Sequence, residues 1–229
     1  MSAISYFSQQ VAIADLEDFP HANGDNMKLF YSPASPYVRK VMVLAHEKKI
    51  SDRIEQVNTT ANPVKTNDVL LAHNPLGKLP CLVLKDGRAI FDSSVITAYV
   101  DSLAEPHINP DAGPGRFDAL TLEALADGML DACLLMRYES TLRPSDRFWQ
   151  DWYDGQMAKV DNGLDLLEQR WMPALNGKIN IGNIAVACAL GYLDFRFSDK
   201  KWRDTRPNLA EFSAKIGERP SMQATRPTG

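Results

Sequence analysis

The chain has 229 residues, 45% hydrophobic and 24% charged, with a formal net charge of −4. That composition describes an ordinary soluble globular protein of one large or two small domains, with enough apolar residues for a sizeable core. No block of Lys or Arg stands out, so neither nucleic acid nor an acidic membrane surface is an expected partner.

Residues 1–26 lack a basic segment followed by an apolar core, so they do not read as a secretory signal. They end in the turn-rich HANGDN and read as an N-terminal extension that carries no chemistry. From Met27 the pattern alternates. Lys28 to Tyr31 (KLFY) predicts a strand, and Pro36 to Lys48 a helix with Val38, Val41, Met42 and Ala45 on one side. Arg53 to Val57 predicts a second strand and Asn67 to His73 a short helix, followed by the loop Asn74-Pro-Leu-Gly-Lys-Leu-Pro80. CLVL (81–84) and AIF (89–91) flank Asp86-Gly87, the strongest short-range hairpin signal, and Val95 to Leu103 predicts a third helix. The order strand–helix–strand–helix–strand–strand–helix is that of a thioredoxin-like domain, expected over residues 27–104.

Composition shifts at Ala104 to Gly115 (AEPHINPDAGPG), so residues 105–115 read as a linker. Helical periodicity then dominates residues 116–229, with helices expected over Phe117–Tyr138, Asp146–Trp171, Ile184–Phe195 and Asn208–Ile216. The longest apolar run, Ile184 to Leu193, is too short to span a bilayer and predicts a buried core helix. Cys81, Cys133 and Cys188 are odd in number and far apart, and the four His residues are scattered. Neither a disulfide framework nor a metal site is expected, and a reduced, cytoplasmic compartment is the default.

Three places carry chemistry. Ser35 is a preferred N-cap residue, and Pro36 at the first helical position gives up an N–H that would be unpaired anyway. A small hydroxyl thus lies at the positive end of a helix, where a thiolate would be stabilised. Arg39 and Lys40 follow within a turn and add positive charge, and cations and hydroxyl donors lower a thiol pKa. Capping alone is the bland reading. At Leu79-Pro80, a cis peptide bond in this fold would turn the backbone N–H and C=O of Leu79 towards that helix start, ready to pair with a peptide-like ligand. At Asp92-Ser93, before the third helix, the alternatives are again a cap or a site. As a site, Ser93 and helical N–H groups bind a carboxylate while Asp92 pairs with an ammonium. A ligand with a thiol, a peptide backbone and an α-amino acid end engages all three, and glutathione has those parts.

These motifs resemble the cytosolic glutathione S-transferases, especially bacterial ones with a Ser-Pro-(Phe/Tyr)-x-Arg helix start. The resemblance runs from residue 27 to about 220. It includes Asn74-Pro-Leu-Gly-Lys-Leu-Pro80 against the family's NPxGxVP, the acidic-Ser pair Asp92-Ser93, and the helix Ile184 to Phe195. It implies a thioredoxin-like domain followed by an all-helical domain, with Ser35 stabilising the glutathione thiolate and Tyr31 and Ser32 as runners-up. Leu79, entering at Pro80, would hold the cysteinyl backbone. Asp92 and Ser93 would bind the γ-glutamyl end, and Lys78 the glycyl carboxylate. An electrophile pocket is implied between the domains, with Met129, Cys133, Met136, Arg137 and Tyr138 on its helical wall. A Met and aromatic stripe at this spacing is also the signature of plain core.

The chain departs from the family twice. Members that reduce disulfides place Cys at the helix start, whereas this chain has Ser35, which cannot form a mixed disulfide. Cys81 reads as inert packing, so redox chemistry is not expected. Before the buried helix, the usual Ser/Thr-x-x-Asp box is replaced by Asn180-Ile-Gly-Asn183. Losing a carboxylate at the positive helix end predicts a cost of about 1 kcal/mol, recoverable by Asn183→Asp. The expected function is conjugation of the glutathione thiolate to small hydrophobic electrophiles by a cytoplasmic homodimer, without a metal. The alternatives are a glutathione-binding carrier or scaffold, or a glutathione-dependent isomerase, which would want Arg39 or Arg137 facing the sulfur.

Overall fold

A computed structural model describes residues 27–229, so the predicted extension 1–26 lies outside the described residues. The first strand, β1 (Met27–Tyr31), is followed by α1 (Pro36–Glu47), β2 (Ile54–Asn58) and the short α2 (Asp68–Leu71). Then come β3 (Cys81–Val83), β4 (Ala89–Ile90) and α3 (Ser93–Ser102). The sheet order is β2-β1-β3-β4, with β1 parallel to β2 and antiparallel to β3, and β3 antiparallel to β4. This is the thioredoxin-like arrangement expected. Asp86 and Gly87 make the predicted hairpin turn: Gly87 takes φ +87, and the Asp86 carboxylate accepts the Arg88 N–H at 3.0 Å.

The rest is helical: α4 (Pro114–Thr141), α5 (Gln150–Leu166), α6 (Met172–Leu175), α7 (Ile181–Arg196), α8 (Pro207–Gly217) and α9 (Pro220–Ala224). The predicted helix Asp146–Trp171 divides in the structure. It starts at Gln150, and a widened π-helical turn over Leu167–Trp171 joins it to α6. Pro173, in the first turn of α6, has no N–H to continue the ladder, which accounts for the break. α7 is buried from Ile181 to Leu190, the core helix its apolar run predicts.

The start of α7 gives a physical argument against one expectation, that Asn183→Asp would stabilise it. Asn180 accepts from the N–H groups of Gly182 (2.9 Å) and Asn183 (3.3 Å), and the Asn183 carbonyl oxygen accepts from the Asn180 N–H at 3.0 Å. The capping box is therefore complete with Asn in both places. The Asn183 amide also donates to the carbonyl of Leu175, a bond no carboxylate could make.

Candidate active site

Strand register gathers the three motifs at one end of the sheet. Phe30 pairs with Cys81, so the turn after Tyr31 lies beside Leu79-Pro80, just before β3. Leu82 pairs with Ile90, so Asp92-Ser93, just past β4, falls at that same end. The Leu79–Pro80 peptide bond is cis.

Ser35 caps α1, its hydroxyl oxygen accepting from the Val38 N–H at 3.3 Å. Its backbone N–H donates to the Ser32 carbonyl at 3.0 Å, closing the turn. An N-cap uses an oxygen lone pair and leaves the O–H over. Among the described residues the Ser35 hydroxyl donates to no acceptor, so cap and thiolate donor are compatible roles. Tyr31 and Ser32 are half-buried beside it. Tyr37, next after the Ser-Pro pair, is otherwise engaged: its phenol donates to Asp131 of α4 at 2.5 Å, and burial together with Asp131 pushes its pKa up.

Asp92 caps α3, accepting from the Ser94 N–H at 3.0 Å and from the Ser94 hydroxyl. Burial alone would raise this carboxyl, but the Ser94 and Val95 donors outweigh it and hold it below the ordinary value. Ser93 is buried, and its hydroxyl has no partner among the described residues. Lys78 is exposed, Leu79 half-buried and Pro80 buried.

Sequence reasoning missed Asn74, which shapes this loop. It is buried, its amide donates to the Lys78 carbonyl at 2.9 Å, and its side-chain oxygen accepts from Leu76 at 3.0 Å. Its own carbonyl accepts from Gly77, which takes φ +60. The Asn-Pro and Gly-Lys signals marked a turn; an Asn at its start that can close it from within was the available clue.

The expectation that Lys40 lends positive charge to Ser35 is corrected. Lys40 is fully buried, its ammonium bound to Asp127 at 2.6 Å and Glu123 at 3.0 Å on α4, with the Thr97 hydroxyl donating to Glu123 at 3.2 Å. Arg39 donates to the Met222 carbonyl at 3.2 Å and packs against Gly191. The Lys40 charge is used between helices, whereas Arg39 has no carboxylate partner among the described residues and its Nε is buried without a hydrogen bond.

Of the pocket residues, Met129, Cys133 and Met136 are packed in the helical core, while Arg137 and Tyr138 are half-buried. Arg137 lines a cleft, and Met129, Cys133, Met136 and Tyr138 are not among its lining residues. All three cysteines are buried, and burial pushes the Cys81 thiol up to about 11, Cys133 to about 12 and Cys188 to about 11. Raised thiols are poor nucleophiles. Among the described residues no group of His, Cys, Asp and Glu could hold a metal ion, and no helix is long and apolar enough to cross a membrane.

Residues 34–103 match the glutathione S-transferase N-terminal domain family and residues 150–215 the glutathione S-transferase C-terminal domain family. The chain is 34% identical over 204 residues to the uncharacterised GST-like protein YibF of Escherichia coli K12, covering 88% of this chain and 98% of that protein. This chain belongs to the glutathione S-transferase family. A glutathione transferase family member from Pseudomonas fluorescens Pf-5, solved with bound glutathione, is 45% identical with a TM-score of 0.88, over 89% of this chain and 100% of that one. The same family member was also solved with bound S-(propanoic acid)-glutathione, with a TM-score of 0.83 and 44% identity, over 89% of this chain and 100% of that one. This chain has the glutathione transferase fold, a small sheet domain followed by a helical one.

Proposed function

We propose that this chain is a serine-type glutathione transferase. Glutathione would lie along the sheet end where the three motifs meet, its thiol beside Ser35. Its cysteinyl backbone would pair with Leu79 at Pro80, and its γ-glutamyl ammonium with Asp92. The γ-glutamyl carboxylate would meet Ser93 and the first N–H groups of α3, and the glycyl carboxylate Lys78. The glutathione-bound relative from Pseudomonas fluorescens supports this ligand. The glutathione thioether bound to the same relative is of the product class that conjugation makes.

The observation that carries the reading is the unspent Ser35 hydroxyl at the start of α1. It can donate to a thiolate while the helix terminus favours the negative charge, so the thiol loses its proton to water near neutral pH. The thiolate then forms a C–S bond with the electrophilic carbon. In substitution the leaving group departs with its bonding pair. In addition to a conjugated alkene the electron pair moves to the neighbouring carbon, which takes a proton from water. The protein's contribution is activation and proximity. Exposed Val95, Phe117 and Leu120 on α3 and α4 support a homodimer.

The test is a pH titration of bound glutathione by thiolate absorbance, in the wild type and Ser35→Ala. A bound thiol pKa well below the free value, returning towards it in the variant, is the expected result. Binding without a shift would favour a carrier. A shift that survives Ser35→Ala would move the role to Tyr31 or Ser32.

A further inference from the structure

Between the end of α4, the first two turns of α5 and the segment after α7 lies a cleft of about 270 Å³. Arg137, Tyr153, Met157, Arg196 and Phe197 form its walls. Three neighbouring cations have carboxylate partners: Arg143 pairs with Glu139 at 2.6 Å, Arg206 with Asp165 at 2.7 Å, and Lys200, on the cleft rim, with Asp161 at 2.5 Å. Among the described residues Arg137 and Arg196 have no such partner. The Nε of Arg196 is shut off from solvent and unbonded, and its guanidinium lies 3.8 Å from the centre of the Phe195 ring. Burial, and then the charge of Arg137, hold the Arg196 pKa below its ordinary value, with the Tyr192 phenol opposing them. Asp199 is the one carboxylate on the lining, and it is exposed. Two partly desolvated guanidiniums that repel each other form a receptor for a planar anion. Tyr153, Phe197 and Met157 supply apolar walls for the body that carries it.

The cleft lies at the Ser35 end of the helices. Tyr37 meets Asp131 and Lys40 meets Asp127, so α1 and α4 run antiparallel, and α4 continues past the start of α1 towards Arg137. Arg39 packs on Gly191, and α7 runs on from there to Arg196. At 1.5 Å per residue, Arg137 is about 9 Å beyond Asp131 and Arg196 about 7.5 Å beyond Gly191 along their helices. A guanidinium side chain and one aromatic ring can bridge that gap.

We propose that this cleft binds the carboxylate of the electrophile, so that the second substrate is an aromatic or conjugated acid rather than a neutral hydrophobe. The inference rests on the transferase reading. The test is isothermal titration with glutathione, S-benzylglutathione and S-(4-carboxybenzyl)glutathione. The wild type is expected to bind the carboxylated conjugate about tenfold or more tightly than the benzyl one. That preference should vanish in Arg137→Gln and Arg196→Gln and be partly kept in Arg196→Lys, with glutathione binding reporting that each variant is folded. Equal affinity of the wild type for the two conjugates, or a preference that survives both Gln variants, overturns the inference and leaves the transferase reading standing. Failure of glutathione itself to bind the wild type overturns both.

Discussion

The side-chain nitrogen of Asn183 lies 2.8 Å from the carbonyl oxygen of Leu175, at the end of α6. Its other side-chain atom closes the capping box with Asn180. One amide therefore serves as acceptor on one side and donor on the other, at a residue only 1% exposed. Asn183→Asp, which looks favourable from the helix dipole alone, turns the donor into a charged acceptor facing a carbonyl. The expected cost is about 2 kcal/mol, a Tm lower by about 5 °C in calorimetry. An unchanged or higher Tm would mean that the dipole term outweighs the lost donor.

Lys40 is the charge that holds α1 against α4. Removing it as Lys40→Met leaves Glu123 and Asp127 facing each other without a cation, and should cost about 3–5 kcal/mol in urea unfolding. Asp127→Asn leaves the Lys40–Glu123 contact in place and should cost much less. Equal losses in the two variants would show that the cluster does not depend on its single cation.

One ammonium cannot neutralise two carboxylates, and Asp127 registers the imbalance. Burial, opposed by Lys40, pushes its carboxyl from 3.8 up to about 6. Between those values the folded chain holds a proton that the unfolded chain has released, so this group's contribution falls as pH rises from about 4 to about 6. Below that window both states are protonated and the contribution is whole. From pH 5 to pH 7 the wild type should lose about 1 kcal/mol relative to Asp127→Asn, read as a difference between paired unfolding curves. Parallel pH profiles for the two proteins would refute it.

The sheet, the hairpin, the long helices and the helix starts at Ser35, Asp92 and Asn180 were legible because each depends on local signals: alternation, Asp-Gly, and a polar cap before an apolar run. What was not legible is pairing between distant elements. Lys40 follows a cap and reads as a site cation, yet its partners lie on α4, more than eighty residues on. Glu123 and Asp127, four apart and so on one helical face, were the only local hint. Met129, Cys133 and Met136 share their spacing with a pocket wall, and spacing cannot say which face a neighbouring helix covers. α5 gives the reason, since Gly163 lets its backbone close on the Met129 side chain.

Asn74 offers a test of how the Asn74–Pro80 loop is held. Its amide donates to the Lys78 carbonyl and its oxygen accepts from Leu76, so it fixes the chain on both sides of Gly77. Asn74→Ala strips both bonds from a buried turn and should cost about 2–3 kcal/mol of stability. Asn74→Asp keeps the acceptor and loses only the donor to Lys78, so it separates the two effects. If the loop positions Lys78 and Leu79, Asn74→Asp should weaken glutathione binding several-fold. The thiol pKa of glutathione once bound should stay as in the wild type, because Ser35 and the α1 terminus are untouched. A shifted bound-thiol pKa would mean that the loop and the α1 start are not independent. Unchanged affinity in Asn74→Asp would mean that the cis Leu79-Pro80 segment holds its place without Asn74.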